Sequence, residues 1–278
     1  MLARVWRELD RDHVSVMAAG VAFYSFLSIF PAMSALISVY GLVANPAVIE
    51  KQIVNLAGVL PASALELLSA QLEALISAPQ GKLGIGLVIS LLLAFWSAMS
   101  GIGTLMQALT VAYEETETRG VLSFYGQNAA LTACAGAFAL VALFLIAVVP
   151  AMLDSLPFPP TWQDGIALVR WPILAALVFL ALAFSYRFAP SRQAPHWHWF
   201  APGTVAAAAL WLAGSAGFSL YVTEFASYNK TYGSLGAVVV LMMWLYVSAF
   251  IILAGAELNS EWERAGRPDP AAVPATVS

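Results

Sequence analysis

Apolar residues run along this chain in long unbroken stretches, without the short alternations or spaced repeats of a water-soluble domain. No Asp, Glu, Lys or Arg occurs between Asp12 and Glu50, Lys82 and Glu114, Arg119 and Asp154, Arg192 and Glu224, or Lys230 and Glu257. A bilayer core takes about 20 helical residues, so each gap is long enough to cross it. A sixth stretch, Gly165 to Tyr186, is interrupted only by Arg170, whose guanidinium can reach back to the headgroups. The pattern predicts six transmembrane helices, at 16–42, 83–111, 124–149, 165–187, 200–224 and 234–257. Helices are required because hydrocarbon leaves no water to satisfy the backbone, and a β-barrel would show short alternating strands instead. The fold class expected is all-α, a polytopic helical bundle of residues 1–265 followed by a Pro- and Ala-rich cytoplasmic tail, 266–278, expected to be disordered.

Two further segments carry helical periodicity without the length to span. In residues 2–12 the side chains of Leu2, Val5, Trp6 and Leu9 share one face with charges opposite, as in a helix lying on a membrane surface. The segment 46–78 shows two such stripes, Ile49, Ile53, Leu56, Leu60 and then Leu65, Leu68, Leu72, Leu75. Pro61 and the Ser63/Glu66 pair mark the start of the second. It reads as a packed cap over the bundle, or alternatively as a gate or partner-docking surface. The first apolar run is far too long for the core of a cleaved signal peptide and is expected to stay in the membrane.

Composition agrees with the pattern. Apolar residues make up 61% of the 278-residue chain and charged residues 10%, against about 25% charged in soluble proteins. A net charge of −4 gives no basic footprint for a nucleic acid. Arginine and lysine then orient the bundle. With the N-terminus inside, the inner side collects eight of them (Arg4, Arg7, Arg11, Arg119, Arg187, Arg192, Arg264 and Arg267) and the outer side four (Lys51, Lys82, Arg170 and Lys230). That asymmetry satisfies the positive-inside rule and puts both termini in the cytoplasm. Trp162, Trp171, Trp197 and Trp199 fall near the expected boundaries, where aromatic belts form.

Polar residues inside the spans are the candidate functional positions. On the first span Tyr24, Ser28, Pro31, Ser34 and Ser38 share an arc; on the second, Gly86, Ser90, Ser97, Ser100, Thr104 and Gln107 do the same. Two such stripes on successive helices suit a hydrophilic pathway, and they equally suit close helix packing through small and hydroxyl side chains. Tyr24, Ser28, Pro31, Ser97, Ser100, Gln107 and Asn128 are therefore candidate pathway or helix-interface residues, with Gln107 and Asn128 expected to be buried. Glu224, Tyr228, Asn229, Tyr232, Glu257 and Asn259 are candidate mouth residues. Glu224 and Glu257 are read as ending the fifth and sixth spans, and 225–234 as a short outer loop. Glu257 is either a coupling acid or an interface residue paired with an arginine such as Arg264.

Catalytic, metal and cofactor sites are not expected. His196-Trp-His198 supplies only half of a His-x-His-x-Asp-His metal run, with Phe200 and Ala201 at the remaining positions. Neither a phosphate-binding glycine loop nor a nucleophile elbow is present. Cys134 is the single cysteine and is expected to be buried and inert.

The run Ala18-Ala-Gly-Val-Ala-Phe-Tyr-Ser-Phe-Leu-Ser-Ile-Phe-Pro31 resembles the first-helix signature of the YihY/BrkB inner-membrane proteins. Tyr228-Asn-Lys-Thr-Tyr-Gly-Ser-Leu-Gly-Ala237, continuing through Trp244-Leu-Tyr246 to Gly255-Ala-Glu-Leu-Asn259, resembles their last-helix signature. The resemblance covers residues 1–265 and implies a bacterial cytoplasmic-membrane protein with both termini inside. Members were once labelled ribonuclease BN; the incomplete metal motif argues against that label for this chain. For the family, serum resistance, cation/proton exchange and envelope lipid transport have each been suggested. The function expected is a permease-like transporter of a lipid, small solute or ion; the alternative is a scaffold that recruits envelope proteins through 46–78. The partners expected are the lipid bilayer, such a substrate, and envelope proteins in the scaffold case.

Overall fold

A computed structural model describes residues 2–43, 80–149, 160–192, 201–225 and 229–265. The segment 46–78, the His196-Trp-His198 run with Trp199, Tyr228 and the tail 266–278 lie outside the described residues. Among the described residues seven helices are formed: α1 (Leu2–Arg11), α2 (Val14–Val43), α3 (Gln80–Ala112), α4 (Val121–Leu143), α5 (Pro160–Phe188), α6 (Pro202–Phe225) and α7 (Asn229–Ala265). A π-helical turn, Phe144–Val148, continues α4. No strand occurs among the described residues. Helices α2 to α7 each contain a stretch long and apolar enough to cross a bilayer, with mean hydropathy between 1.3 and 2.4. The chain is thus an all-α, multi-pass membrane protein whose spans contact lipid.

Local chemistry accounts for the helix ends. Proline occupies the first position of α5 (Pro160) and α6 (Pro202), where its missing N–H would have had no partner anyway. His13 and Glu114 adopt left-handed conformations, φ 50° and 53°, and stop α1 and α3. After α3, the Glu114 N–H bonds the Val111 carbonyl at 2.7 Å and the Glu115 N–H the Thr110 carbonyl at 3.0 Å, the paired closure of a Schellman motif. The last helix differs from the sequence reading at both ends. It begins at Asn229, so the expected outer loop is helical from that residue, and it runs to Ala265, past Glu257. Gly233 and Gly236 each cost about 1 kcal/mol in a helix, less than a long apolar segment gains by keeping its backbone hydrogen-bonded in lipid.

The chain divides into two compact units, residues 1–23 with 101–278, and residues 24–100. The core of the larger unit is built largely from small side chains, including Ala18, Ala112, Ala207, Ala249 and Ala256, around Met106, Leu109 and Leu253. The large apolar residues point outward: Leu122, Leu140, Leu168, Val239 and Met243 are all exposed. This inversion is what a bilayer selects, since lipid rewards close helix contact and not the burial of leucine. The tightest crossing joins α6 and α7. A Cβ on Gly203 would lie 2.8 Å from Asn259 Cγ, and one on Gly255 would lie 2.6 Å from Ala207 Cβ, so both positions need glycine. Farther along the pair, Trp244 packs against Trp211 (5.5 Å between centroids) and Phe218 (5.1 Å). Trp211 Nε1 donates to Ser248 Oγ at 3.1 Å.

In the smaller unit, Phe26 and Phe30 meet edge to face at 5.4 Å, and Leu27, Phe30, Leu92 and Trp96 are exposed. Pro31 lies inside α2.

A buried polar cluster at the end of the last helix

The C-terminal turns of α7 carry the densest set of buried polar groups in the larger unit. Glu257, Asn259, Ser260 and Glu261 are all buried, Glu257 and Asn259 at 0% and 2% exposure. Successive residues of a helix point about 100° apart, so Glu257 and Asn259 face nearly opposite ways.

The Asn259 side is saturated. Its Oδ1 accepts the Gly203 N–H at 2.7 Å, and its Nδ2 donates to Thr204 Oγ1 at 3.3 Å and to Tyr113 Oη at 3.4 Å. Asn259 therefore caps the first turn of α6 from a neighbouring helix, satisfying a donor that the helix cannot satisfy itself. The glycine at 203 lets the amide come that close. Burial pushes the Tyr113 phenol up to about 12, so it stays protonated. Below this group, Tyr186 Oη donates to the Ile252 carbonyl at 2.8 Å.

The Glu257 side is the opposite. Neither carboxylate oxygen receives a hydrogen bond from any described residue, and neither does Oδ2 of Asp12. The two carboxyls face each other across the α1–α7 contact. Two carboxylates are both acceptors, so the pair gains a hydrogen bond only when a proton lies between them. Burial and the nearby Glu8 raise the Asp12 carboxyl above its ordinary range, against the attraction of Arg11. The arginine expected beside Glu257 is engaged elsewhere. Arg264 binds Glu114 at 2.5 Å, Ser260 Oγ at 2.8 Å and Glu261 at 3.6 Å. Arg4 adds a contact to Glu261 at 3.3 Å, and this pins α1 along α7. Val5 is buried in that contact and Leu9 half-buried, whereas Trp6 is 74% exposed. Among the described residues no group of three or more His, Cys, Asp or Glu is arranged to hold a metal ion.

The other candidate positions are scattered. Asn128 is buried on α4, accepts from Thr132 Oγ1 at 3.3 Å, and would lie 2.8 Å from a Cβ at Gly103, which makes it a contact between α3 and α4. Gln107 is exposed, not buried; the helix turns it away from the Met106–Leu109 core. Ser28 and Ser100 back-bond to their own helices, at Ser25 (2.6 Å) and Trp96 (3.4 Å), a pairing that satisfies a hydroxyl without any pathway. Pro31 and Ser97 are half-buried and Tyr24 is exposed. Cys134 is half-buried, where full burial was expected. Glu224 lies in the last turn of α6, and Asn229 and Tyr232 in the first turns of α7. Asp12 and Tyr113 were missed, because each reads in sequence as flanking charge or boundary aromatic. The signal for Asp12 was its position closing the charged face of α1 immediately before the first span.

A protein-family description, Virulence factor BrkB, matches residues 5–276. The chain is 29% identical over 259 residues to the ribonuclease-like protein YfkH of Bacillus subtilis, covering 87% of this chain and 88% of that protein. It is 27% identical over 257 residues to a UPF0761 membrane protein of Vibrio atlanticus (91% of this chain, 79% of that protein). A UPF0761 membrane protein of Cronobacter sakazakii is 26% identical over 274 residues (93% and 86%). No solved structure matches the chain.

Proposed function

The chain belongs to the Virulence factor BrkB family, and from that premise we propose that it is a permease-like transporter of the bacterial envelope, not an enzyme, in which Glu257 binds the transported or coupling cation. One observation carries the reading: a fully buried carboxyl inside a membrane helix that faces a second carboxyl, Asp12, and accepts no N–H or hydroxyl from the described residues. An intramembrane acid costs several kcal/mol unless it is paired or wet, so its presence asks for an occupant. The groups around it are Glu8 of α1, Asp12 in the turn that follows α1, Arg264 on its own helix, and Glu114 beyond Arg264. Three of the four are acidic, which favours a cation. A proton is the smallest that fits between two facing carboxyls. The arginine asymmetry supports a cytoplasmic-membrane location with both termini inside, which places Glu257 toward the cytoplasmic end of its span.

The test uses proteoliposomes loaded with pyranine, a pH-reporting dye, across an imposed sodium or potassium gradient. The intact protein is expected to change the internal pH. Glu257→Gln, folded by its size-exclusion profile, is expected to reduce that flux to the level of empty liposomes. Equal flux through both proteins, or none through either under both gradients, would overturn the reading.

A further inference from the structure

At the same end of the larger unit, the α3–α4 connection is tied to the end of α5. Thr118 N–H donates to Ser191 Oγ at 3.2 Å, Ser191 N–H to Thr110 Oγ1 at 3.1 Å, and Arg119 Nη1 to the Ala189 carbonyl at 3.2 Å. Gln127 Nε2 closes the set on the Phe188 carbonyl. Between these ties lies a cleft of about 330 Å³, lined by the guanidiniums of Arg119, Arg187 and Arg192 together with Thr118, Gln127 and Ser191. Among the described residues no carboxylate lines it. Two of the arginines are paired with acids. Glu117 takes Arg119 in a two-point fork, at 2.8 and 2.6 Å, and Glu263 takes Arg192, which also stacks on the Tyr113 ring at 4.4 Å. Arg187 lies over the Phe188 ring, 5.5 Å from its centroid. The fork holds the Glu117 carboxyl down at about 2, so Arg119 keeps its partner across ordinary pH.

We propose that this cleft binds a phosphate group, that of an anionic phospholipid headgroup. Clustered guanidiniums with hydroxyl and amide neighbours are the chemistry that recognises phosphate. The volume sits at the small end of ligand pockets, about 300–1,000 Å³, which suits a headgroup and not a whole lipid. The position supplies the choice between a lipid and a free anion. The cleft opens where three spans end or begin, at Ala112, Val121 and Phe188, the level at which basic pockets between membrane helices meet headgroups. Beside it, the first turns of α4 expose Val121 (75%), Leu122 (90%) and Tyr125 (56%). An apolar strip next to a basic cleft fits acyl chains attached to a phosphate and has no use for inorganic phosphate. The inference is independent of transport, since a bound lipid is required neither to move nor to stay.

The experiment is native mass spectrometry of the full chain in neutral detergent. It is exchanged separately with dioleoyl phosphatidylglycerol and with dioleoylglycerol, the same chains without phosphate, and inorganic phosphate is added in a parallel thermal-shift assay. Retention of the phosphatidylglycerol is expected to exceed that of the diglyceride by at least about tenfold. Arg187→Gln is expected to bring the two to the same level, and Arg187→Lys to restore part of the difference. Should Arg187→Gln fail to fold, Leu122→Ser on the exposed strip is expected to lower phosphatidylglycerol retention while leaving the size-exclusion profile unchanged. Equal retention of both lipids by the unmodified protein overturns the site. Stabilisation by inorganic phosphate that Arg187→Gln removes, without any preference for the phospholipid, overturns the lipid as its source. Retention that ignores both Arg187→Gln and Leu122→Ser overturns the placement.

Discussion

Two faces of one helix, two residues apart, handle burial in opposite ways. On the α6-facing side of α7, Asn259 has a partner for every hydrogen-bonding atom it uses, and two glycines bring the backbones into contact around it. On the α1-facing side, Glu257 is equally buried and no described donor reaches it. Both are polar groups in a helix that crosses lipid, so both carry a desolvation cost, the larger one falling on the carboxyl whenever it is ionised. The Asn259 face offsets that cost in the resting fold. The Glu257 face does not, and it holds a second acid against the first. A fully satisfied polar group specifies structure; one left unsatisfied against its like is what the proposed cation site rests on.

The contrast is broken most severely on the structural face. Gly255→Leu places a branched side chain where even a Cβ meets Ala207, and α6 has no flexible side chain there to yield. The cost is expected to exceed about 3 kcal/mol, at or beyond the top of the range for overpacking, and to appear as loss of the monodisperse, folded protein in detergent. Asn259→Ala is milder. It strands the Gly203 N–H and is expected to cost about 1–3 kcal/mol, read as a lowered melting temperature with flux retained in whatever protein remains folded. Glu257→Gln sharpens the comparison from the other side. Replacing an acid buried against a second acid by a neutral amide is expected to leave the melting temperature unchanged or raise it, while abolishing flux. A strong drop in stability instead would make Glu257 a structural residue like its neighbour.

Much of this was legible in advance, and the reason is solvent. A bilayer imposes one rule on every segment that crosses it, so five charge gaps and one run broken only by Arg170 mark six spans, and Ala18–Pro31 and Gly255–Asn259 stand out within them. What sequence could not reach was pairing between segments. Gln107 and Asn128 look alike along the chain, yet one faces out and the other lies buried near Gly103, because only the approach of α3 to α4 separates them. In sequence Arg264 is one alternative partner for Glu257. It turned to Glu114, a residue 150 positions away whose left-handed backbone presents its carboxylate to α7. Asp12 drew no notice as one of several flanking charges, and becomes informative only once α1 lies along α7.

Asp12 also gives the finest test of the comparison, because it lies outside the spans and titrates from water. Its carboxyl is raised above the ordinary value of 3.8, first by burial and then by Glu8. An acid with a raised folded value is easier to ionise in the unfolded chain. Its unfavourable contribution is therefore absent below about pH 3.8 and grows as pH rises through the folded value. Asp12→Asn removes the titration. The variant is expected to match the parent in melting temperature at the acid end and to exceed it modestly at pH 6–8. Arg11 sets the limit on that gain, since its attraction to the ionised form is lost as well. The same variant leaves Glu257 facing an amide that can donate to it, so flux is expected to fall too, although less than in Glu257→Gln. If melting curves of Asp12→Asn and the parent coincide at every pH, burial and Glu8 do not disfavour the ionised Asp12 carboxyl, and the face of α7 that α1 covers holds no strained acid at its edge.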